Sequence, residues 1–432
     1  MPVRVRWPLL LVAMLHVAGS AALAATFNVN STLDQPDDDE IDGICHTSAN
    51  TCTLRAAVMQ ANFLSEETLI LLPAGTFTLT RPPTASNGAE SGDLNLDAFP
   101  AFFINLVGAG AESTIIDGGC LDRVFRVEGA CLASFRSLTV RNGCAANGGG
   151  ILVLGVASLE HVTVRDNRAI QGGGVSAEGS HLFMTASTIR DNRATGPGGG
   201  LFGSRTLEIA SSTISGNVAL VDGGGMYLAA LADLHLSEST ISSNSVDDSG
   251  GAIFVRDQAT VNIYSSTIVF NRADADDDGL GDGGGIVNDV SGNNTVNVRN
   301  CLIAGNYLVA SLENPDDCVG TIGSYGRNLF GDTAGCSVVT GSGSWGLLND
   351  IGWIGPLAKN GGPTRTHQLF PGSNAIDGGD PANGCLSPTG SFAVDQRGVP
   401  RVNGVRCDVG AYEAGILFTD GFELGDLSAW SN

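Results

Sequence analysis

The stretch LEIASSTISGNVALVDGGGMYL, residues 207–228, carries the spacing that decides the fold. Leu207 and Ile209 form an apolar pair two residues apart, and Ile214 follows five residues later. A flat strand of period two would place Ile214 on the face opposite the pair, so the chain must bend between Ile209 and Ile214. The same two-then-five spacing occurs seven times, starting at Ala133, Ala157, Leu182, Leu207, Leu234, Val261 and Val296. Successive starts lie 24, 25, 25, 27, 27 and 35 residues apart. Recurrence of this kind marks a solenoid, in which each unit buries its apolar face only against its neighbours.

The rest of the unit supplies two turns. Asparagine stands three residues after the third apolar position at Asn167, Asn192, Asn217, Asn244, Asn271 and Asn306. Stacked coil on coil, these amides can hydrogen-bond along the axis as a ladder; the alternative is that they are ordinary turn residues. Glycine clusters follow, among them residues 148–150, 172–174, 198–200 and 223–225, each before an apolar residue such as Ile151 or Met226. Glycine suits a sharp corner between close coils. A phosphate cradle is excluded, because no helical pattern follows the clusters and they recur in every coil. The spacing therefore predicts three strands per coil, an asparagine turn and a glycine corner. A chain of 432 residues exceeds the usual limit of one core, but a solenoid core lengthens instead of thickening.

The formal charge of −23, with Lys359 the single lysine, argues against nucleic acid or an anionic membrane as partner. Residues 1–24 combine Arg4 and Arg6, an apolar run over residues 9–17 and the small-residue pattern Ala22, Leu23, Ala24. They read as a secretory signal peptide, so an extracellular or cell-surface location is expected. No later apolar run is long enough for a transmembrane helix, and a monomer is expected. Ten cysteines fit an oxidising compartment. The expected local pairs are Cys45 with Cys52, Cys318 with Cys336 and Cys385 with Cys407, plus two of Cys120, Cys131 and Cys144. Cys144 and Cys301 fall about six coils apart, roughly 29 Å at the ~4.8 Å strand spacing and beyond disulfide reach. Cys301 is expected to be a free, buried thiol.

The glycine-plus-apolar and STIxxN repeats resemble those of right-handed parallel β-helix proteins of the pectin-lyase-like kind. They are also similar to the GGA(I/L/V) and FxxN repeats of polymorphic outer membrane proteins. The resemblance implies an all-β, single-stranded right-handed parallel β-helix solenoid over residues 101–310. Before it, the run Cys52, Thr53, Leu54, Arg55, Ala56, Ala57 has helical spacing, with Leu54, Val58 and Ala61 on one side, and a short capping helix is expected. This run resembles the CSLREA N-terminal domain of exported bacterial proteins, with Thr53 for serine and Ala56 for glutamate, and assigns residues 25–100 as an N-terminal cap. Residues 311–414 read as terminal coils plus a region similar to choice-of-anchor Q, on NGGPT at 360–364, Asp395, Gln396, Arg397, Gly398 and the run from Cys407 to Glu413. The tail, residues 415–432, resembles a DGFESG-type C-terminal signal, which implies sorting or anchoring.

Three clusters are candidate sites. Asp274, Asp276, Asp278 and Asp282, with Gly279 at the sixth position, resemble a DxDxDG calcium loop whose twelfth position is Gly285 instead of glutamate. Calcium and a solvated acidic loop both remain open, as they do for Asp34, Asp37, Asp38, Asp39 and Asp42. Arg165 and Arg190, like Arg168 and Arg193, occupy equivalent positions in adjacent coils and can hold sugar carboxylates or phosphates by paired hydrogen bonds. Asp166 and Asp191 stack beside them, so a surface salt-bridge ladder is the other reading. Asp395, Arg397, Arg401, Asp408 and Glu413 form an acid–base set, or are salt-bridged in a terminal coil. Within the repeats Asp247 and Asp248 are adjacent carboxylates, and His161, His181 and His235 occur singly, so neither lyase nor hydrolase chemistry is marked out. The functional expectation is an exported, non-catalytic β-helix for adhesion or glycan binding, with calcium as the possible ion. A polysaccharide lyase or glycoside hydrolase acting on an acidic polysaccharide is the alternative, and a surface-layer component the third.

Overall fold

The computed structural model of the protein describes residues 25–415, except 65, 85–87, 99–101, 310–314, 342–343, 349, 381–385, 388–389, 392 and 402–405. Residues 1–24, where a signal peptide is expected, and residues 416–432 of the tail lie outside the described residues. The chain is a parallel β-helix. Each coil of the repeat region contributes to four parallel faces, named here in chain order from the glycine corner. Face 1 has three-residue strands such as Met226–Leu228, and face 2 five-residue strands such as Thr206–Ala210. Face 3 has three-residue strands such as Thr213–Ser215, and face 4 two- to four-residue strands such as Val218–Ala219. Equivalent residues pair in register from coil to coil: Leu207 lies beside Leu182 and Leu234, and Ile214 beside Ile189 and Ile241.

Three strands per coil is corrected to four. Face 4 escapes a reading by periodicity because its strands are too short to alternate, and their inward residue is usually small (Ala169, Ala194, Ala219, Ala273).

The odd offset of five has a definite physical origin. After each of the seven face 2 strands from Leu132–Arg136 to Thr295–Arg299 one residue takes a left-handed conformation: Ser137, His161, Ala186, Ser211, Glu238, Ser265 and Asn300, all with φ between 42° and 55°. Non-glycine residues resist this conformation, by roughly 1–2 kcal/mol each, so the bend needs support. A serine ladder supplies it. The Ser212 hydroxyl accepts from the Ser187 N–H at 3.1 Å and donates to the Ala210 carbonyl at 2.7 Å, and Ser239 does the same for the coil below. Cys301 continues the ladder with its thiol 3.2 Å from the Arg299 carbonyl; it is a free buried cysteine, as expected, and burial pushes its pKa up to about 12.

A second left-handed residue follows face 3, and next to it stands the asparagine. The ladder reading of these amides holds. Asn192 Nδ2 donates to Asn217 Oδ1 at 3.0 Å, Asn217 to Asn244 at 2.9 Å, Asn244 to Asn271 at 2.8 Å and Asn271 to Asn306 at 2.8 Å. Each Oδ1 also accepts the backbone N–H of the preceding asparagine at about 3.0 Å, and the Nδ2 groups of Asn217 and Asn244 also donate to a carbonyl of the preceding coil. Asp317 ends the column by accepting both the N–H and Nδ2 of Asn306, at 2.8 and 2.7 Å. At the glycine corner a Cβ on Gly224 would lie 2.6 Å from the Gly251 carbonyl oxygen, so only glycine fits the coil spacing.

The stack begins before residue 101. Ala25–Asn28 pairs with Thr68–Leu72, which pairs with Phe103–Gly108. Helix α1, Leu54–Phe63, packs on Thr68–Leu72 and Leu94–Leu96. Thr53 caps α1 by accepting the Ala56 N–H at 3.1 Å. Arg55, fully buried, pairs with Asp34 and donates to the carbonyls of Ala89 and Gly92. One apolar cluster runs along the axis from Phe27 to Phe330.

At the other end, coils continue through Ser344–Leu347. From Ile354 the chain leaves the stack and returns along its flank, where the spacing suggests further terminal coils. Thr213, Thr240 and Thr267, one column on face 3, bind this segment through the Arg365 carbonyl, the Gln396 amide and the Ala411 N–H. Lys359 reaches Glu112, far back along the helix. The contact is lateral because Val269, Leu302 and Leu329 present apolar side chains to Ile354, Leu369, Val409 and Tyr412.

Cysteines pair as Cys45–Cys52, Cys120–Cys144 and Cys318–Cys336, leaving Cys131 free and buried. Cys407 is disulfide-bonded; Cys385, its expected partner, lies outside the described residues. No helix among the described residues is long and apolar enough to cross a membrane.

Candidate functional site

Parallel registration converts the arginine spacing into two adjacent columns. Arg141, Arg165 and Arg190 stand at one position of face 3, and Arg168 and Arg193 at one position of face 4, directly after Cys144. The left-handed residues between the faces are Asn142, Asp166 and Asp191. They turn their side chains toward the same edge and split the two columns. Arg165 pairs with Asp166 and Arg190 with Asp191, while Arg141 donates to Asp117 at 2.7 Å. The salt-bridge reading therefore describes the face 3 column.

Arg168 and Arg193 differ. Both are exposed, and among the described residues neither guanidinium makes a hydrogen bond or ion pair, although the charge of Arg193 is felt by the Asp247 carboxylate. They line an open groove of about 720 Å³ that runs from the Cys120–Cys144 disulfide to Val218, floored by Asn167 and Asn192. Their backbones lie one strand apart, about 4.8 Å. The two guanidiniums can each present a planar pair of donors to a carboxylate or sulfate.

The aspartate loop partly converges. Carboxylate oxygens of Asp274, Asp276 and Asp278 lie within 4.8 Å of one another. Asp282 is not among them; its N–H bonds Ser249 Oγ at 3.0 Å. Asp274 is buried, and its Oδ1 also accepts the N–H groups of Asp278 and Gly279 at 3.1 and 3.0 Å. Asp247 and Asp248 of the preceding coil face the loop. Burial raises both pKa values above the usual carboxylate range, and the charges of Asp276 and Asp278 add to it. That approach is a consequence of coil stacking, and the adjacent pair gives no sign of it in the sequence.

The other acidic run disperses. Asp34 is consumed by Arg55, and Asp37 accepts from Gln60, Asp39 and His46, leaving Asp37, Asp38 and His46 as a small group.

The C-terminal acid–base set is a buried brace. Arg397 pairs with Asp395 at 2.7 Å and lies 3.6 Å over the Tyr412 ring. Arg401 pairs with Glu238 on the face 2 bend and stands 3.5 Å from Glu413. Burial pushes Glu238 up to about 8 against the pull of Arg401, and pushes Asp408 up to about 7, with Glu413 adding to it. Every one of these groups is committed within protein, so the set has no face for a substrate. Glu238 carried no sequence signal, since a serine or alanine occupies its place in neighbouring coils.

A solved structure, the crystal structure of pectate lyase Pel9A, is similar over 91% of this chain and 98% of that one, with a TM-score of 0.45 and 13% identity. A likeness this distant carries no argument about activity. No curated protein matches the sequence. The family model described as "Right handed beta helix region" matches residues 124–303, and the chain is a right-handed parallel β-helix.

Proposed function

We propose that this is an exported, non-catalytic β-helix that binds anionic glycans in the arginine groove, for adhesion at the cell surface. The observation that carries the reading is the pair Arg168 and Arg193, whose exposed guanidiniums make no hydrogen bond or ion pair among the described residues, while Arg165 and Arg190 are neutralised by Asp166 and Asp191. Holding cations apart from available carboxylates forgoes ion pairs that are close at hand. A ligand carboxylate or sulfate bound by both would recover that interaction.

The test is binding of acidic polysaccharides to the mature protein. Arg168→Ala with Arg193→Ala is expected to weaken binding about 100-fold, two charge-assisted contacts of about 1.4 kcal/mol each. Absorbance of unsaturated products and reducing ends is followed in the same samples. Turnover abolished by a single substitution would instead assign a lyase or hydrolase.

Calcium at the aspartate loop belongs to the same proposal, supported by the convergence of Asp274, Asp276 and Asp278. Millimolar calcium is expected to raise the melting temperature by a few degrees, and Asp276→Ala to abolish the rise. Absence of heat on calcium titration, with an unchanged melting temperature, removes the ion from the proposal.

A further inference from the structure

The two ends of the coil stack are finished differently. At the N-terminal end helix α1 covers the first rungs, with Leu54, Ala57, Val58 and Ala61 buried, and Phe27 of the first face 2 strand is buried as well. At the C-terminal end the last coil supplies Cys336–Thr340 to face 2 and Ser344–Leu347 to face 3. Leu347 stands in the inward column of face 3, beside Phe330 and in line with Ile303, Ile268 and Ile241. Those four side chains are fully buried, whereas Leu347 is 55% exposed. Val338, paired with the fully buried Ile322 on face 2, is half-buried for the same reason. Cys336–Thr340 pairs with Cys318–Tyr325 on one side and, among the described residues, with no strand on the other. Val339 and Trp345 of this coil are exposed too. The flank segment touches the coil where Asn374 Nδ2 donates to the Leu347 carbonyl at 2.9 Å, and it leaves the Leu347 side chain uncovered.

We propose that this end docks a second copy of the chain, tail to tail about a two-fold axis. Residues 333–349 contain no charged side chain in a chain with a formal charge of −23, so two copies approach there without opposing their carboxylates. The strand Cys336–Thr340 lacks the lysine or proline that ordinarily keeps an open edge from pairing, and a two-fold axis lays it antiparallel to its own copy. The same axis sets Leu347 and Trp345 of each copy against the end of the other core, which removes their apolar surface from water. Head-to-tail stacking would grow a filament, but the N-terminal end offers no bare core to receive it, since Phe27 and the α1 side chains are already buried. The contact is therefore isologous and closes at two copies. A monomer is what the sequence alone suggests, because the repeat spacing does not mark which coil is left uncovered.

Sedimentation equilibrium of the mature protein tests the contact. A monomer–dimer equilibrium is expected, tightened by added salt, which screens the repulsion between two acidic chains. Leu347→Lys buries an unpaired charge in the contact and should weaken the dimer about 100-fold or more. Val339→Lys places a charge on the open edge and should weaken it roughly tenfold. Both positions are exposed in a single copy, so the urea midpoint measured on dilute, monomeric protein should stay unchanged. Arg168→Ala with Arg193→Ala should leave the dimer intact. A monomer at every concentration up to ~100 µM overturns the proposal. So does a dimer that survives both lysine variants, or one that salt dissociates, which would assign the contact to ion pairs elsewhere. A monomer that becomes a dimer on truncation after Gly415 assigns this end to residues 416–432 and overturns it too.

Discussion

Replacing Arg401 by methionine is expected to destabilise the protein by about 3–5 kcal/mol, the range for removing one partner of a buried ion pair, and to release the flank segment. Arg401 is almost fully buried and serves both sides of the junction: Glu238 and the Ser265 carbonyl on the helix, Glu413 and the carbonyls of Asp408 and Gly410 on the segment. Without the guanidinium, Glu238 and Glu413 would be left buried together, and each ionised form would be strongly disfavoured. Urea unfolding should show an earlier transition, and limited proteolysis should cut between residues 354 and 414 before the coils are attacked. The double variant Arg401→Met with Glu238→Gln should recover part of the loss, since it removes both charges. An unchanged midpoint and cleavage pattern in Arg401→Met would show that the threonine column and the apolar contacts hold the segment unaided.

Asn217→Leu is expected to cost about 3 kcal/mol or more, because several buried groups lose partners at once. Asn217 is fully buried; its Nδ2 serves the Ile189 carbonyl and Asn244, and its Oδ1 receives two donors from Asn192. A leucine fills the space and answers none of them. Since each coil contacts only its neighbours, hydrogen exchange should rise mainly in the coils around residues 190–245. Protection unchanged there would overturn the assignment of the ladder as a structural element.

The acidic end of the ladder behaves differently. Burial pushes Asp317 up to about 7, against the donors from Asn306 and Asp332. A carboxyl with a raised folded pKa contributes its stability in full below its unfolded value, and the contribution is lost as pH rises to about 7. Asp317→Asn should therefore show a smaller fall in stability over that interval than the parent protein.

Reading the chain by its spacing goes far with elements whose physics is local. The pair Leu207 and Ile209 with Ile214 implies a bend, and Ser211 supplies it with a left-handed backbone. Asparagine at a fixed offset implies an axial ladder, since identical residues stacked in register meet their own kind. Helix α1 is legible from Leu54, Val58 and Ala61. Face 4 is not, because two residues cannot show a period. The return of residues 354–414 along the flank is not either, because what fixes it is a column of threonines and one glutamate contributed by separate coils.

The candidate sites divide along the same line. Sequence spacing places Arg165 over Arg190 and Arg168 over Arg193, because the repeat length is the register. It leaves open which pair stays available. Tertiary geometry decides that: a left-handed turn aims Asp166 and Asp191 at the face 3 column and leaves the face 4 column to solvent. Likewise the repeat alone specifies the coil, its bend and its core, since each depends on contacts within one coil or with the next. Groups brought together from distant coils or from the flank, such as Asp247 beside Asp276 or Arg401 beside Glu238, depend on how the finished helix stacks and what folds back against it.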